Sequence, residues 1–543
     1  MQKRRVVRAL ATLALLGGAA GCAPAAPPAV PAAPAVEVPA AEAAPAAVTV
    51  PEPGQVVPEA NVRALVEACV APRTGDVERA RIVQYLGSIK SKAGERCYAE
   101  ALRGYKPGVT EETLAEASKA VGALRLTGAS GALFEAFTKV RASKLRVPYR
   151  EVFEAMLAIS DPAWEAQLVA YVEHPADMKD MSALTDEMFW QMTAAVILGQ
   201  LRSAAAARPL LRALLTPAKA AMHVDAVLAL VRIGKPAAAA ATTLLKKGDP
   251  ELSAYAEQEA RTAGTDPTAD VGIAALVLAT MGRSESTGTL IDALATPDLV
   301  ARAVIARELT RLPRDPRTVA AYRGVVEKLP LSVQIPNMRG TAHEVLLDKA
   351  DGFFDASLVP WLAEDAKRLT GDAGDVRAAR DAAMSSALKL ARADQVKHID
   401  AIAGLGKRGA TVGLGFEKEI KATKELLAAC GDRLDCWFDK LTDPGAQTDA
   451  EQFRGIKSAY MIGVLGDAAA RDRLVKVLPR IMHPGVRFAA LMAIDVLSPQ
   501  GDAATADALQ AMVDEAIAAH DQARMRLNSP LKTEIVRLRA RLP

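Results

Sequence analysis

The sequence predicts an all-α protein, an α-α superhelix of stacked helical hairpins, and three observations carry that prediction. Half of the 543 residues are apolar but only 4% are aromatic, and the apolar share is mostly Ala, Leu and Val. Ala and Leu favour helices, whereas sandwiches and barrels draw on β-branched and aromatic side chains. From Asn61 onward the apolar residues recur at three- and four-residue intervals, the period of a half-buried helix. The helix breakers, last, follow a repeating order of glycine and then proline.

Taken in chain order, the first element is not part of the body. Lys3, Arg4, Arg5 and Arg8 precede the apolar run Ala9 to Ala19. That run is too short for a bilayer-spanning helix, which needs about 20 residues, and suits the core of an export signal. It ends in Ala19-Ala20-Gly21-Cys22, which resembles a bacterial lipobox with Ala19 where Leu is commonest. The resemblance implies a signal peptide over 1–21 and lipidation of the Cys22 thiol, with ordinary secretion as the alternative. Ala23 after the cysteine implies, by the same resemblance, sorting to the outer membrane with the body facing the periplasm.

Residues 22–60 read as the lipidated cysteine and a tether. Residues 23–60 contain 10 Pro and 14 Ala, with Glu37, Glu42, Glu52 and Glu59 as the charged residues. Such a segment buries too little surface to offset its ordering, and its prolines bias it toward polyproline II. Extended, it reaches roughly 118 Å at about 3.1 Å per residue. Without the four basic residues ahead of Ala9, 63 basic residues face 64 acidic ones. A near-neutral body offers no electrostatic basis for binding nucleic acid.

In the body, apolar-Gly pairs stand at Leu86-Gly87, Leu198-Gly199, Ile233-Gly234, Met281-Gly282 and Leu465-Gly466. Polar-Pro pairs stand at Thr216-Pro217, Asp249-Pro250, Thr296-Pro297 and His483-Pro484. From Gly199, Gly234, Gly282 and Gly466 to the next of these prolines the offsets are 18, 16, 15 and 18 residues. Glycine just past a helix end can turn left-handed and satisfy the last carbonyls. A polar cap followed by proline starts a helix, because the missing N–H had no partner there anyway. The alternation predicts stop, short helix, start, helix, stop, and each hairpin needs its neighbours to bury its apolar faces.

The text at Ala459 to Asp467, Leu474 to Leu478 and Pro484-Gly485-Val486-Arg487-Phe488-Ala489-Ala490 resembles HEAT repeats. Ala301-Arg302-Ala303 and His223-Val224-Asp225-Ala226 are weaker echoes. The resemblance implies a HEAT-like solenoid: N-terminal repeats over 61–310, an irregular helical region with longer loops over 311–449, and C-terminal repeats with capping helices over 450–543.

Besides Cys22 the chain has Cys69, Cys97, Cys430 and Cys436, two local couples. Even numbers in an exported chain favour disulfides, here Cys69–Cys97 and Cys430–Cys436, with free thiols as the rival. Zinc-like and C-x-x-C spacings are absent.

Chemistry-bearing motifs are weak. Gly404-Leu405-Gly406-Lys407-Arg408-Gly409 fits G-x-G-x-x-G but lacks a buried strand before it and a helix opening at it, as a dinucleotide site requires. His343-Glu344 lacks the second histidine of a zincin, and two S-x-x-K matches, at Ser386 and Ser529, lack companion motifs. We therefore expect no catalytic residues, no metal and no small-molecule cofactor. Phe353, Phe354 and Trp361 are candidate partner contacts, with core packing as the other reading, and Lys407 and Arg408 are candidates in an exposed loop. The expected function is a lipid-anchored envelope scaffold binding a protein partner, held to the bilayer by acylated Cys22. The alternatives are a bilin-lyase-type enzyme, which needs a free thiol at Cys430 or Cys436, and a peptidoglycan or carbohydrate binder, which needs exposed aromatics.

Overall fold

The computed structural model describes residues 49–540 apart from 176–179, 265–267, 283, 337, 406–414 and 443–447. Every regular element among them is helical, as the composition predicts. The chain runs up and down in short helices, so every second helix points the same way. One row of such helices is Asp76–Ser88, Glu111–Leu124, Tyr149–Ile159, Met181–Gln200 and His223–Ile233, each packed on the next. Glu59–Val70, Glu95–Arg103 and Ser130–Lys139 begin a second row behind it. This is the stacked-hairpin solenoid: each helix covers its apolar stripe with the helices before and after it.

The first row continues through Ala269–Met281, Leu299–Leu309, Ala342–Lys349, Gly374–Leu390, Asp449–Leu465 and Pro484–Leu497. The last helix, Ser529–Ala540, packs on Pro484–Leu497 and also on His223–Ile233 and Ala269–Met281, some 300 residues earlier in the chain. From residue 223 onward the row closes on itself, and Leu531, Ile535, Val536 and Leu538 fill the join. Arg537 fastens it, with Nη2 donating to the Arg311 carbonyl at 2.8 Å and Nη1 3.0 Å from the Asp495 carboxylate.

The breakers divide into two kinds that sequence order does not distinguish. Gly234 and Gly282 end helices in the left-handed region, at φ of 77° and 59°. Gly466 ends one in extended backbone. Gly87 and Gly199, expected as stops, lie inside helices that run on to Ser88 and Gln200. At Gly199 the reason is contact: a Cβ there would sit 2.7 Å from the Ala229 Cα on the next helix of the row. Gly122 meets the Ala155 Cα in the same way at 2.8 Å, so glycine marks where successive helices touch. The expected starts at Asp249-Pro250 and His483-Pro484 carry capping side chains, accepting from the Leu252 and Val486 amides. After Thr296-Pro297 the helix begins two residues later than expected, because Asp298 caps it by accepting from Val300 and Ala301.

Both cysteine couples are disulfides. Cys69–Cys97 ties the first helix to Glu95–Arg103, and Cys430–Cys436 clasps the corner between Phe416–Cys430 and Leu434–Thr442. Closing loops of this size restricts the unfolded chain by on the order of 2–4 kcal/mol each.

One buried lysine makes the stack pH-sensitive. Lys219, in the turn before His223–Ile233, donates from Nζ to the Val172 carbonyl. Burial pushes its pKa down to about 8, against a smaller upward pull from Glu187. Between pH 8 and 10.5 the unfolded chain therefore binds a proton that the folded chain does not, so this residue makes stability rise with pH across that window. The melting-temperature difference between wild type and Lys219→Met should shift in favour of the wild type from pH 8 to 10.5. A difference independent of pH would refute this assignment.

Candidate functional site

The closed part of the row lines a partly open cavity of about 560 Å³, within the roughly 300–1,000 Å³ range of ligand pockets. Because the helices of the row are parallel, several end there. Thr280, Thr310, Arg311, Asp348, Lys349 and Lys389 come from the C-terminal ends of four of them. Such ends carry about half a negative charge each, which is why basic side chains gather there. Ile456, Phe488, Leu491 and Met492 supply an apolar wall, and Phe488 is half-exposed.

One wall of the cavity is a buried ionic cluster. The Asp351 carboxylate accepts from Lys389 Nζ at 2.6 Å and from the Tyr460 hydroxyl at 2.9 Å. Burial alone would depress the Lys389 ammonium, but the Asp351 charge overrides it and holds the pKa above its ordinary value. Burial, and then Asp351, push the Tyr460 phenol well up. Behind them Lys457, wholly buried, donates to the Lys389 and Ala391 carbonyls at 3.0 and 2.7 Å, capping the end of Gly374–Leu390. Its burial pushes the pKa well below the ordinary value. Lys389 ends the S-x-x-K match at Ser386, whose companion motifs are absent, and nothing in the sequence pattern marks Lys457 or Asp351.

A second surface lies on the open arm. The N-terminal ends of the first-row helices all fall on one edge of the stack, and each carries an exposed apolar residue there. These are Val77, Val109 just ahead of Glu111–Leu124, Leu145 and Tyr149, Met181, and Val224. Leu145 is 94% exposed. One or two such residues at each helix start make a row of apolar points along the arm up to Val224, where the closed part begins, at the roughly 8–10 Å spacing of packed helices.

The sequence-predicted contacts fall elsewhere. Phe353, Phe354 and Trp361 are buried, which corrects their reading as partner contacts. Phe353 meets the Tyr322 ring edge-on at 5.0 Å, and Phe354 stacks on Tyr460 at 4.9 Å. Phe354 does reach the cavity wall, but as packing. They are buried because the short helical turns of 350–361 pack inward between Tyr322 on the preceding helix Pro316–Val326 and Tyr460 on Asp449–Leu465. Lys407 and Arg408, with most of the glycine-rich motif, lie outside the described residues, as does Cys22. Arg487, from the HEAT-like Val-Arg pair, is buried and bridges hairpins, donating to the Leu478 and Ile481 carbonyls and to Asn528 Oδ1. Cys430 and Cys436, the thiols that a bilin-lyase-type reading needs free, are joined to each other. Among the described residues no group of three or more His, Cys, Asp or Glu is placed to hold a metal, and no single helix is long and apolar enough to cross a membrane.

No protein-family model matches the chain, and no curated protein does. Among solved structures it is similar to an engineered protein from a structural genomics consortium, at 15% identity over 88% of this chain and 98% of that one, with a TM-score of 0.27. It is also similar to a chain from a study of the phosphorylation switch between cadherin and beta-catenin, at 12% identity over 88% and 90%, with a TM-score of 0.23. What stands from the molecule itself is an all-α solenoid of stacked helical hairpins.

Proposed function

We propose that this chain is a lipid-anchored, periplasm-facing scaffold that docks an envelope protein along the apolar edge of its N-terminal arm. The observation that carries the docking is the row Val77, Val109, Leu145, Tyr149, Met181 and Val224, exposed at successive hairpins. Contiguous exposed apolar surface marks interaction sites, and we read this row as one such surface, bridged along the arm by its partner. The anchor and the address rest on the basic-then-apolar segment ending at Cys22. The two disulfides support an oxidising compartment. Acyl chains on Cys22, at about 0.8 kcal/mol per buried CH₂, would hold the body to the bilayer without a spanning helix.

The edge is tested in intact envelopes with a photo-crosslinking residue at Leu145, comparing wild type with Met181→Glu. The expected result is one dominant adduct that falls at least tenfold in the variant, with an unchanged circular dichroism spectrum. Equal crosslinking in both would remove the edge from the proposal. The anchor is tested separately: Cys22→Ser should move the protein from the membrane to the soluble fraction, and an intact mass without acyl groups in the wild type would refute it.

A further inference from the structure

The join that closes the row leaves a second cavity, of about 320 Å³, lined by Gly199, Gln200, Arg202, Val231, Arg232, Val536, Arg539 and Ala540. Three arginines from three different helix ends share it. Arg202 follows Met181–Gln200, Arg232 lies in the last turn of His223–Ile233, and Arg539 lies in the last turn of Ser529–Ala540. Arg232 is half-buried, and its guanidinium makes no hydrogen bond or ion pair among the described residues. Arg202 likewise has no side-chain partner among them and is exposed. Arg539 is paired with Asp507 at 2.9 Å, but that pair is on the surface and so screened.

The other charges facing this join do not balance it. Asp225 attracts Arg232 and is itself desolvated, and Lys532 stands beside Asp225. Burial, and then repulsion from Arg539, make the Arg232 cation harder to hold. Asp507 pairs with Arg539, and the three helix C-termini contribute about −0.5 charge each, so the guanidinium groups of Arg232 and Arg202 are the ones left without a side-chain partner. A partly open cavity with two unpaired planar forks suits a tetrahedral oxyanion, which such forks bind bidentately.

We propose that this cavity is a binding site for a phosphate group, held by Arg232 and Arg202 with Arg539 completing it from the closing helix. The bound anion would link the helix that closes the row to the arm. Its source is either free inorganic phosphate or the phosphodiester of a lipid headgroup.

The test uses the full chain in a chloride buffer of constant ionic strength. Inorganic phosphate is titrated in one arm and glycerophosphoglycerol, a soluble headgroup phosphodiester, in the other, each read by calorimetry. We expect saturable binding of one anion per chain in at least one arm, weakened at least tenfold in Arg232→Gln and partly restored in Arg232→Lys. Hydrogen exchange in 529–540 should slow on saturation in the wild type. The arm with the tighter binding identifies the source. Should Arg232→Gln misfold, Arg202→Gln, at an exposed position, serves in its place. Absence of saturable binding in both arms, or equal binding by wild type and a folded variant, overturns the proposal.

Discussion

Asp351→Ala should destabilise the protein by about 3–5 kcal/mol, the usual cost of removing one partner from a buried ion pair. Lys389 would remain buried with its ammonium facing only the more distant Asp348 and Glu419. The Tyr460 hydroxyl would lose its acceptor as well. The cost lies in the stranded charge rather than in lost attraction, so Asp351→Ala combined with Lys389→Met should recover most of the stability. Chemical denaturation of the two variants separates these terms. A single variant as stable as the wild type would show that the pair is solvated and that the closed row does not seal it.

Gly199→Leu should cost on the order of 3 kcal/mol, the upper part of the ordinary range for overpacking. The obstacle is the Ala229 backbone, 2.7 Å from where the new Cβ would lie. Backbone cannot rotate away as a side chain can, so two helices of the row must separate. Gly288→Ala provides the contrast: it lies mid-helix in Ser284–Ala293 with nothing within 4 Å of a Cβ. There the helix should gain about 1 kcal/mol from the more rigid residue. Thermal melts of both variants check the opposite signs. A stabilised Gly199→Leu would mean that the glycine merely frays a helix end, as its place in the sequence suggests.

These two sites show where sequence reading ends. Leu198-Gly199 and Ile233-Gly234 look alike as text, yet Gly199 continues its helix and Gly234 stops one at φ of 77°. Whether a glycine serves conformation or contact depends on what approaches it from another hairpin. Phe353 and Phe354, in the irregular region expected to carry longer loops, read as candidate partner contacts, but Tyr322 and Tyr460 take them into the core. Tyr460 is more than 100 residues away in the chain, so no local pattern could announce that contact.

The helical class, the repeated hairpin and the Cys430–Cys436 clasp were determined by local chemistry: Ala and Leu propensity, apolar period, capped starts, and two cysteines on either side of one corner. Such preferences act over a turn or two of chain, which is why they can be read without a partner. That the row closes from residue 223 to residue 540 was decided only by tertiary structure. The closing helix finds its complementary surface some 300 residues away, and that surface exists only once the intervening hairpins have stacked. The central cavity and the three-arginine join both take part of their lining from that closing helix, whereas the Asp351–Lys389–Tyr460 cluster comes from the stacking of neighbouring helices of the row.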